Sequence, residues 1–276
     1  REWYPAIMYN HHQTGPAGAV LFAPPFRDPF NYNFDPLIVL GIDMVGSAIH
    51  TRLAAEGKPG AVMRTGAPYS TWFNGGIRTT SYFHNQIGIL TETIGNPTPV
   101  EIPFVLDMQL PRADVPNPIA PGVFKFRTAI EYSVTNNYAI LDIASKRHED
   151  FLFNMYKMAK NAIDLGNTDH WTIHPKRIDA ARDAIEAQAA SASRGGENIG
   201  PRAALGGRGG GGRGGGAPVA IYTNVLHDPK MRDPRGFIVP SDQPDFLTAT
   251  KFVNTLIKAG VVVHRATAPF TVAGKQ

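Results

Sequence analysis

Two histidines and a glutamate occupy positions where side chains of their type could take part in hydrolytic chemistry. His11 and His12 stand in the run Asn10-His11-His12-Gln13-Thr14-Gly15, directly after a short apolar run. Imidazole nitrogens are common zinc ligands, and a ligand at the carboxyl end of a strand is held rigidly at the crevice of an α/β sheet. Residue types alone leave a second interpretation open, in which both rings bond to backbone in a turn.

Glu92 lies within the otherwise apolar run Ile87-Gly-Ile-Leu-Thr-Glu-Thr93, which we interpret as a strand. An ionised carboxylate is costly inside such a strand unless a cation or a metal compensates its charge. Two interpretations follow. Glu92 is either a general base whose pKa is tuned by burial and a nearby cation, or a structural partner of an arginine such as Arg78.

The other histidines are weaker candidates. His170 and His174 are four positions apart, but Trp171-Thr-Ile173 between them is not a helical pattern and a proline follows, so a metal role is not favoured. His50, His148 and His227 fall in predicted polar helix faces or turns, where we expect ordinary surface residues.

The elements that must position these residues follow from hydrophobic periodicity. Asp35 and Pro36 predict a helix start, apolar residues at helical spacing follow, and Gly57 suits the end. Further helices are predicted over Asn136 to Leu165, as one helix or two, and over Lys176 to Ala190. Strands are predicted at Tyr4 to Tyr9, Ala19 to Phe22 (closed by Pro24-Pro25), Ala61 to Arg64 and Ile87 to Thr93, and an irregular proline-rich segment at Thr98 to Pro121.

The composition divides the chain into three parts. Residues 1–190 form the main α/β unit, 191–217 a linker or loop rich in Gly, Ala and Arg, and 218–276 a small α/β unit. In the last part we predict strands at Ala220 to Thr223, Phe237 to Val239 and Val261 to His264. The predicted fold class is a three-layer α/β/α architecture with a mixed central sheet, incomplete at its N-terminal side and followed by that small α/β unit.

Composition also narrows the classes of function. The chain has no cysteine, which excludes disulfides and thiolate metal sites, and no apolar run of eighteen residues, so no membrane span is predicted. The net charge of +4 is small and does not indicate a face for nucleic acid. The glycine-arginine tract from Gly206 to Gly216 could bind RNA, but its core has two arginines and no aromatics, which favours a flexible loop.

Taken together, the two stretches resemble the carboxypeptidase A-like zinc peptidases. Asn10-His11-His12-Gln13-Thr14-Gly15 is similar to the family context Asp-x-His-x-Thr-Gly, with Asn for Asp, which makes His12 a zinc ligand. Gly75-Gly76 is followed sixteen residues later by Glu92, similar to the family spacing from a Gly pair to the catalytic glutamate. Tyr69-Ser-Thr-Trp-Phe-Asn-Gly-Gly76 and Thr91-Glu-Thr-Ile-Gly-Asn-Pro97 also resemble a large bacterial, exported branch, which implies an extracellular or periplasmic location.

The resemblance implies a chemistry and several roles. Zinc would lower the pKa of a bound water and polarise the scissile carbonyl of a peptide or protein C-terminus, and Glu92 would be the general base. Tyr69 is the better match to the tyrosine that closes over substrate, and Tyr82 a poorer one. Arg78 occupies the second position after the Gly pair, in the specificity pocket, where it predicts preference for an acidic C-terminal side chain unless it neutralises Glu92 or lies outside that pocket.

The sequence departs from the family pattern in one respect that matters for activity. No His-x-x-Glu occurs in these 276 residues, nor does the family's Asn-Arg pair that binds the substrate carboxylate. We expect them upstream of Arg1 in a longer protein, so that this chain alone is inactive and does not hold zinc tightly through His12. The rival interpretation is a non-catalytic, peptidase-like domain that recognises peptide or cell-wall ligands.

Overall fold

A computed structural model describes residues 3–194, 217–272 and 274. Its central sheet has the strand order β1-β4-β2-β3, in which β1 runs parallel to β4, β4 antiparallel to β2, and β2 parallel to β3. The predicted α/β class with a mixed central sheet is therefore confirmed. The strands are β1 (Ile7–His12), β2 (Leu21–Phe26), β3 (Ala61–Arg64) and β4 (Ile87–Thr93), and a separate antiparallel pair is formed by β5 (Val100–Ile102) and β6 (Gly122–Phe124).

The helices follow the strands closely in the chain. The two histidines lie at the end of β1, as predicted, although β1 begins later than Tyr4 and is only half-buried. The helices are α1 (Pro36–Ala55), α2 (Ile77–Thr80), α3 (Leu106–Gln109), α4 (Phe126–Lys146), α5 (His148–Asn167), α6 (Pro175–Arg194), the single turn α7 (Val219–Ile221) and α8 (Phe246–Lys258).

Helix α1 is the main core helix. The Asp35 carboxylate accepts the Leu37 N–H at 2.8 Å, which satisfies one of the free donors of the first turn, and Gly57 takes the left-handed conformation just past the end. All of the predicted core positions are buried: Ile38, Ile42, Val45, Ile49 and Leu53. Among the described residues α1 is also the one helix long and apolar enough to cross a membrane, and 44% of that stretch is buried inside the protein, as expected of a core helix packed on a sheet.

Two apolar clusters cover the two faces of the sheet. One joins α1 and α4 to the face that carries Ile87 and Ile89, and the other lies around Phe22, Val62 and Val115 on the opposite face. The second face is covered by the one-turn helix α2, whose Arg78 carbonyl lies so close to Gly88 that a Cβ there would be 2.1 Å from it. The close approach of α2 to β4 therefore depends on glycine at position 88.

Several local predictions within residues 1–190 were wrong, including the irregular segment over Thr98 to Pro121, which contains β5 and α3. β2 does not end at Pro24-Pro25 but continues to Phe26, because its ladder with β3 is irregular between Phe22 and Phe26 and demands no N–H there. Helix α4 begins at Phe126, ten residues before the predicted start, and a break at Arg147 separates it from α5. His50 is buried at 8% exposure on the core side of α1 and is not a surface residue.

The strands predicted for the last part of the chain are also wrong. Ala220 to Thr223 is helical, and neither Phe237 to Val239 nor Val261 to His264 forms a strand. No residue described between 217 and 272 is buried, and neither sheet of the described structure includes a strand from this range to complete the backbone hydrogen bonds of these apolar runs. The longest regular element described in this part is the helix α8, which Asp245 caps: its carboxylate accepts the Thr248 N–H at 3.0 Å.

Part of the predicted linker 191–217 can be placed. Residues 191–194 end α6, and residues 195–216, with the glycine-arginine tract, lie outside the described residues. Beyond them, the chain packs on the segment before α6: the Trp171 indole donates to the Asp228 carbonyl at 2.7 Å, and the Asp233 N–H donates to the His170 carbonyl at 3.0 Å. These contacts connect the last part of the chain to the first.

Candidate functional site

The carboxyl ends of β1 and β4 bring the two predicted catalytic residues together. In the parallel pairing of these strands His12 is the direct neighbour of Glu92, so both side chains leave the sheet on the same face. Nδ1 of His12 lies 3.6 Å from Oε1 of Glu92. The sequence separates these residues by eighty positions, and the sheet places them side by side.

The Glu92 carboxylate is held at one oxygen and faces His12 with the other. Its side chain is 19% exposed, and Oε2 accepts the Thr14 N–H at 2.8 Å. The interpretation of Glu92 as the salt-bridge partner of Arg78 is therefore wrong, because the partners found are His12 and the Thr14 backbone. A carboxylate with one oxygen anchored and the other beside an imidazole is preorganised to exchange a proton with a third group.

His11 points away from Glu92. It lies on the opposite face of β1, where its Nε2 is 3.0 Å from Oδ1 of Asn137 on α4 and its ring packs 3.9 Å from the Tyr9 ring. Side chains alternate along β1, which places Tyr9 and His11 on one face and Asn10 and His12 on the other. His12 is the histidine that shares a face with Glu92.

Arg78 belongs to the same cluster through β1. Its Nη1 donates to Oδ1 of Asn10 at 3.0 Å, and its Nε donates to the Tyr69 hydroxyl at 3.0 Å. The guanidinium carbon also lies 4.9 Å from the centre of the Tyr69 ring. In the described part of the chain no carboxylate forms an ion pair with Arg78, so its positive charge and its remaining N–H groups are available to a ligand.

Tyr69 supports Arg78 and is itself wedged against the sheet. Its ring packs edge-on against Phe26 at 4.8 Å and Phe22 at 6.1 Å. Burial raises the pKa of its hydroxyl, the negative charge of Glu92 acts in the same direction, and the hydrogen bond and charge of Arg78 oppose both. The phenol therefore remains protonated at neutral pH and can still donate one hydrogen bond.

Tyr82, the second candidate for a tyrosine over the substrate, does not fit that role. Its side chain is buried at 2% exposure, and its hydroxyl donates to the Gly88 carbonyl at 2.7 Å. Of the two tyrosines, Tyr69 is the one that the structure brings to the cluster. The five residues Asn10, His12, Tyr69, Arg78 and Glu92 are called the strand-end site below.

The strand-end site does not by itself meet the needs of zinc. His12 is a single imidazole donor, with its side chain 51% exposed, and the described residues contain no group of three His, Cys, Asp or Glu that could hold a metal ion. His170 and His174 both precede α6, and Nε2 of His170 lies 3.5 Å from Oδ2 of Asp233.

Two members of this environment were missed by sequence reasoning. Asn10 was noted only as a neighbour of the histidines, yet it is the residue that connects Arg78 to β1. Its alternation with His12 on β1 was the available signal. The Thr14 N–H that anchors Glu92 had no signal in the sequence, because a backbone donor is defined by the turn and not by a residue type.

Comparison of the chain with protein-family models, with curated proteins and with solved structures returns no match. Function is therefore inferred from the chemistry of the strand-end site together with the family resemblance of its motifs.

Proposed function

We propose that this chain is part of a zinc-dependent carboxypeptidase that removes residues from the C-terminus of peptides, with Glu92 as general base and His12 as one zinc ligand. The observation that supports this proposal is the 3.6 Å approach of His12 Nδ1 to Glu92 Oε1 at the ends of adjacent parallel strands. At this separation an imidazole that binds a metal and a carboxylate base can both reach one water molecule.

In this proposal Glu92 carries out the proton transfers. Oε2 stays bound to the Thr14 N–H, which fixes the plane of the carboxylate, and Oε1 takes a proton from the attacking water. The same oxygen then delivers that proton to the nitrogen of the leaving amino acid. Partial burial of the side chain limits competing bulk water and strengthens the interaction of Glu92 with neighbouring charges.

Zinc binding requires donors that the described residues do not supply. With Glu92 reserved for proton transfer, His12 is the only ligand in the strand-end site, so the proposal needs two further ligands that the described residues do not supply. Zinc bound in that way would supply a Lewis acid and an acidified water. This chain alone is accordingly expected to bind zinc weakly and to lack activity.

Arg78 is proposed to select the substrate. Its guanidinium has two protein partners, Asn10 and Tyr69, both neutral, and no carboxylate forms an ion pair with it in the structure as described. A half-buried, uncompensated guanidinium is a strong partner for a carboxylate, which it can bind through two parallel hydrogen bonds. The proposed substrates are therefore peptides that end in Glu or Asp. An extracellular or periplasmic location, implied by the resemblance, stays a prediction.

The test is Glu92→Gln in the gene product at its natural length, loaded with zinc and assayed on N-blocked dipeptides. Gln keeps the size of the side chain and an acceptor for the Thr14 N–H but cannot take a proton, so kcat should fall at least about 100-fold with little change in KM. The matched control is Glu131→Gln, an exposed glutamate paired with Arg127 on α4, which should leave kcat unchanged.

The competing proposal is a peptidase-like domain that binds peptides without cleaving them. It predicts no hydrolysis by the wild-type protein and binding of acidic peptides that weakens in an Arg78→Leu variant. Equal hydrolysis by wild type and Glu92→Gln would contradict both the assigned base and the proposed mechanism.

A further inference from the structure

A cavity lies at the opposite edge of the sheet from the carboxyl ends of β1 and β4. Because β2 runs antiparallel to β4, the carboxyl ends of β2 and β3 lie at the edge away from Glu92. At that edge is a cavity of about 330 Å³, which we call the β2–β3 cavity. Its walls come from the segment after β2, the first turns of α1, the end of β3 and two flanking residues: Phe26, Arg27, Asp28, Phe30, Val39, Ile42, Asp43, Arg64, Thr65, Thr71 and Asp114.

Some of the charged groups in this cavity are already used by the protein. Arg27 donates from Nε to the Pro68 carbonyl at 3.0 Å and from Nη1 to the carbonyl of Asp28 at 2.7 Å. The Asp114 carboxylate accepts from both the backbone N–H and the hydroxyl of Thr65. These groups build the wall of the cavity and have little capacity left for a ligand.

Three charged side chains in the cavity wall have no hydrogen-bonded partner among the described residues: the carboxylates of Asp28 and Asp43 and the guanidinium of Arg64. Asp43 projects from α1 as a half-buried carboxylate, and Arg64 is the last residue of β3. Neither side chain forms a hydrogen bond or ion pair in the described part of the chain. Burial raises the pKa of Asp43, and the positive charge of Arg64 acts in the opposite direction, so the two groups interact electrostatically. Thr71, buried at 4% exposure, lines the same space and has no hydrogen bond from its hydroxyl.

Arg64 also has an uncommon backbone. Its φ of 47° lies in the left-handed region, which non-glycine residues seldom adopt. This conformation ends β3 and places the side chain of Arg64 in the cavity wall. It also provides a useful test, because glycine adopts the same conformation without strain.

We propose that the β2–β3 cavity binds a free α-amino acid, with its carboxylate on Arg64, its ammonium on Asp43 and its side chain toward Phe26 and Phe30. A zwitterion supplies an ammonium group to the half-buried Asp43 and a carboxylate to Arg64, and the Thr71 hydroxyl can bond to either. A phosphate or other simple anion would face Asp28 and Asp43, and a metal cation would face Arg64 and Arg27. The proposal does not rest on the proposed peptidase function.

Binding is tested by calorimetry on this chain with free leucine, arginine and glutamate, and with leucine blocked at either end. We expect a dissociation constant of about 1 mM or tighter for at least one free amino acid. N-acetyl-leucine and leucinamide each lose one charge, so each should bind at least tenfold more weakly than leucine. Comparable binding of leucine and both blocked forms would overturn the proposal, as would the absence of binding by all three free amino acids.

Variants locate the site. Asp43→Asn and Arg64→Gly should each weaken amino-acid binding at least tenfold, the latter with no loss of fold because glycine accepts the left-handed backbone. The matched controls are Asp142→Asn and Arg127→Gly, which remove exposed helix charges outside the cavity. Binding that survives Asp43→Asn but is lost in Glu92→Gln would place the amino acid at the strand-end site and overturn the assignment.

Discussion

The buried His50 should make the stability of this protein depend on pH in a window that can be calculated. Burial lowers the pKa of His50 from 6.5 to about 4, and the backbone oxygens of Ala23 and Pro24 offset only part of that effect. Its Nε2 has no hydrogen-bond partner, which is consistent with a neutral ring buried between α1 and the sheet. The unfolded chain therefore binds a proton at His50 at a higher pH than the folded chain does.

The sign and the size follow from linkage. Above pH 6.5 both states are neutral at this position and stability is unaffected; as pH falls from 6.5 towards 4, only the unfolded state gains the proton and stability is lost. At about 1.4 kcal/mol per pKa unit, the loss approaches about 3 kcal/mol below pH 4 and is about 2 kcal/mol at pH 5. The wild-type protein is therefore destabilised in acid by His50, and a variant without this histidine should not show that loss.

The assay is urea unfolding of wild type and His50→Leu at pH 7 and pH 5. Other groups titrate in both proteins, so the difference between the two pH values isolates His50: wild type should lose about 2 kcal/mol more free energy of unfolding than the variant. His148→Gln controls for the loss of an exposed histidine. If wild type and His50→Leu lose the same free energy between the two pH values, the buried neutral ring is refuted.

Two further predictions concern the substrate and the core. In the zinc-loaded gene product, kcat/KM for peptides ending in Glu should exceed that for peptides ending in Leu by more than about tenfold, because hydrogen bonds from the guanidinium to a carboxylate are charge-assisted. In Arg78→Leu this preference should reverse. If the wild type and Arg78→Leu show the same ratio, Arg78 does not belong to the specificity pocket. Gly46→Ala should destabilise the protein by about 2 kcal/mol or more, since its Cβ would lie 2.2 Å from the Pro24 carbonyl oxygen. A Cβ added at Gly166 in α5 would meet no atom within 4 Å, so Gly166→Ala should stabilise the protein by about 0.5–1 kcal/mol. Similar urea midpoints for Gly46→Ala and Gly166→Ala would contradict the close packing of Gly46 on Pro24.

The elements that could be predicted are those whose signals are local. β3 and β4 were predicted with their observed bounds, and α1 from its Asp35 cap and its apolar spacing, because short-range chemistry and burial agree in each. β2 was predicted to stop at its prolines, since proline usually ends pairing. The irregular ladder that tolerates Pro24 and Pro25 is a property of the neighbouring strand and has no local signal.

The last part of the chain shows what periodicity cannot decide. Val261 to His264 is apolar and β-branched, which favours a strand, but a strand also needs a partner, and none lies beside it among the described residues. The same dependence on distant partners applies to His50, whose polar type suggested the surface although its position on α1 faces the sheet. Position on the helix decided its burial, not residue type.

The strand-end site could be predicted in part for a physical reason. Residues at the carboxyl ends of parallel neighbouring strands meet at one edge, so His12 and Glu92, each predicted near a strand end, meet because β1 and β4 pair side by side. The partners of Arg78 could not be inferred in this way. They depend on how closely α2 packs on β4, which is set by the absence of a side chain at Gly88.

The central claim is that Glu92 activates water for cleavage at a peptide C-terminus. It is tested by incubating the zinc-loaded gene product with a peptide ending in Glu in water enriched in ¹⁸O and following the products by mass spectrometry. We predict loss of single C-terminal residues, with one ¹⁸O in the new carboxyl group of the shortened peptide, and no shortening by Glu92→Gln beyond about 1% of the wild-type rate. Cleavage at internal bonds, or shortening at an unchanged rate by the variant, would contradict the account.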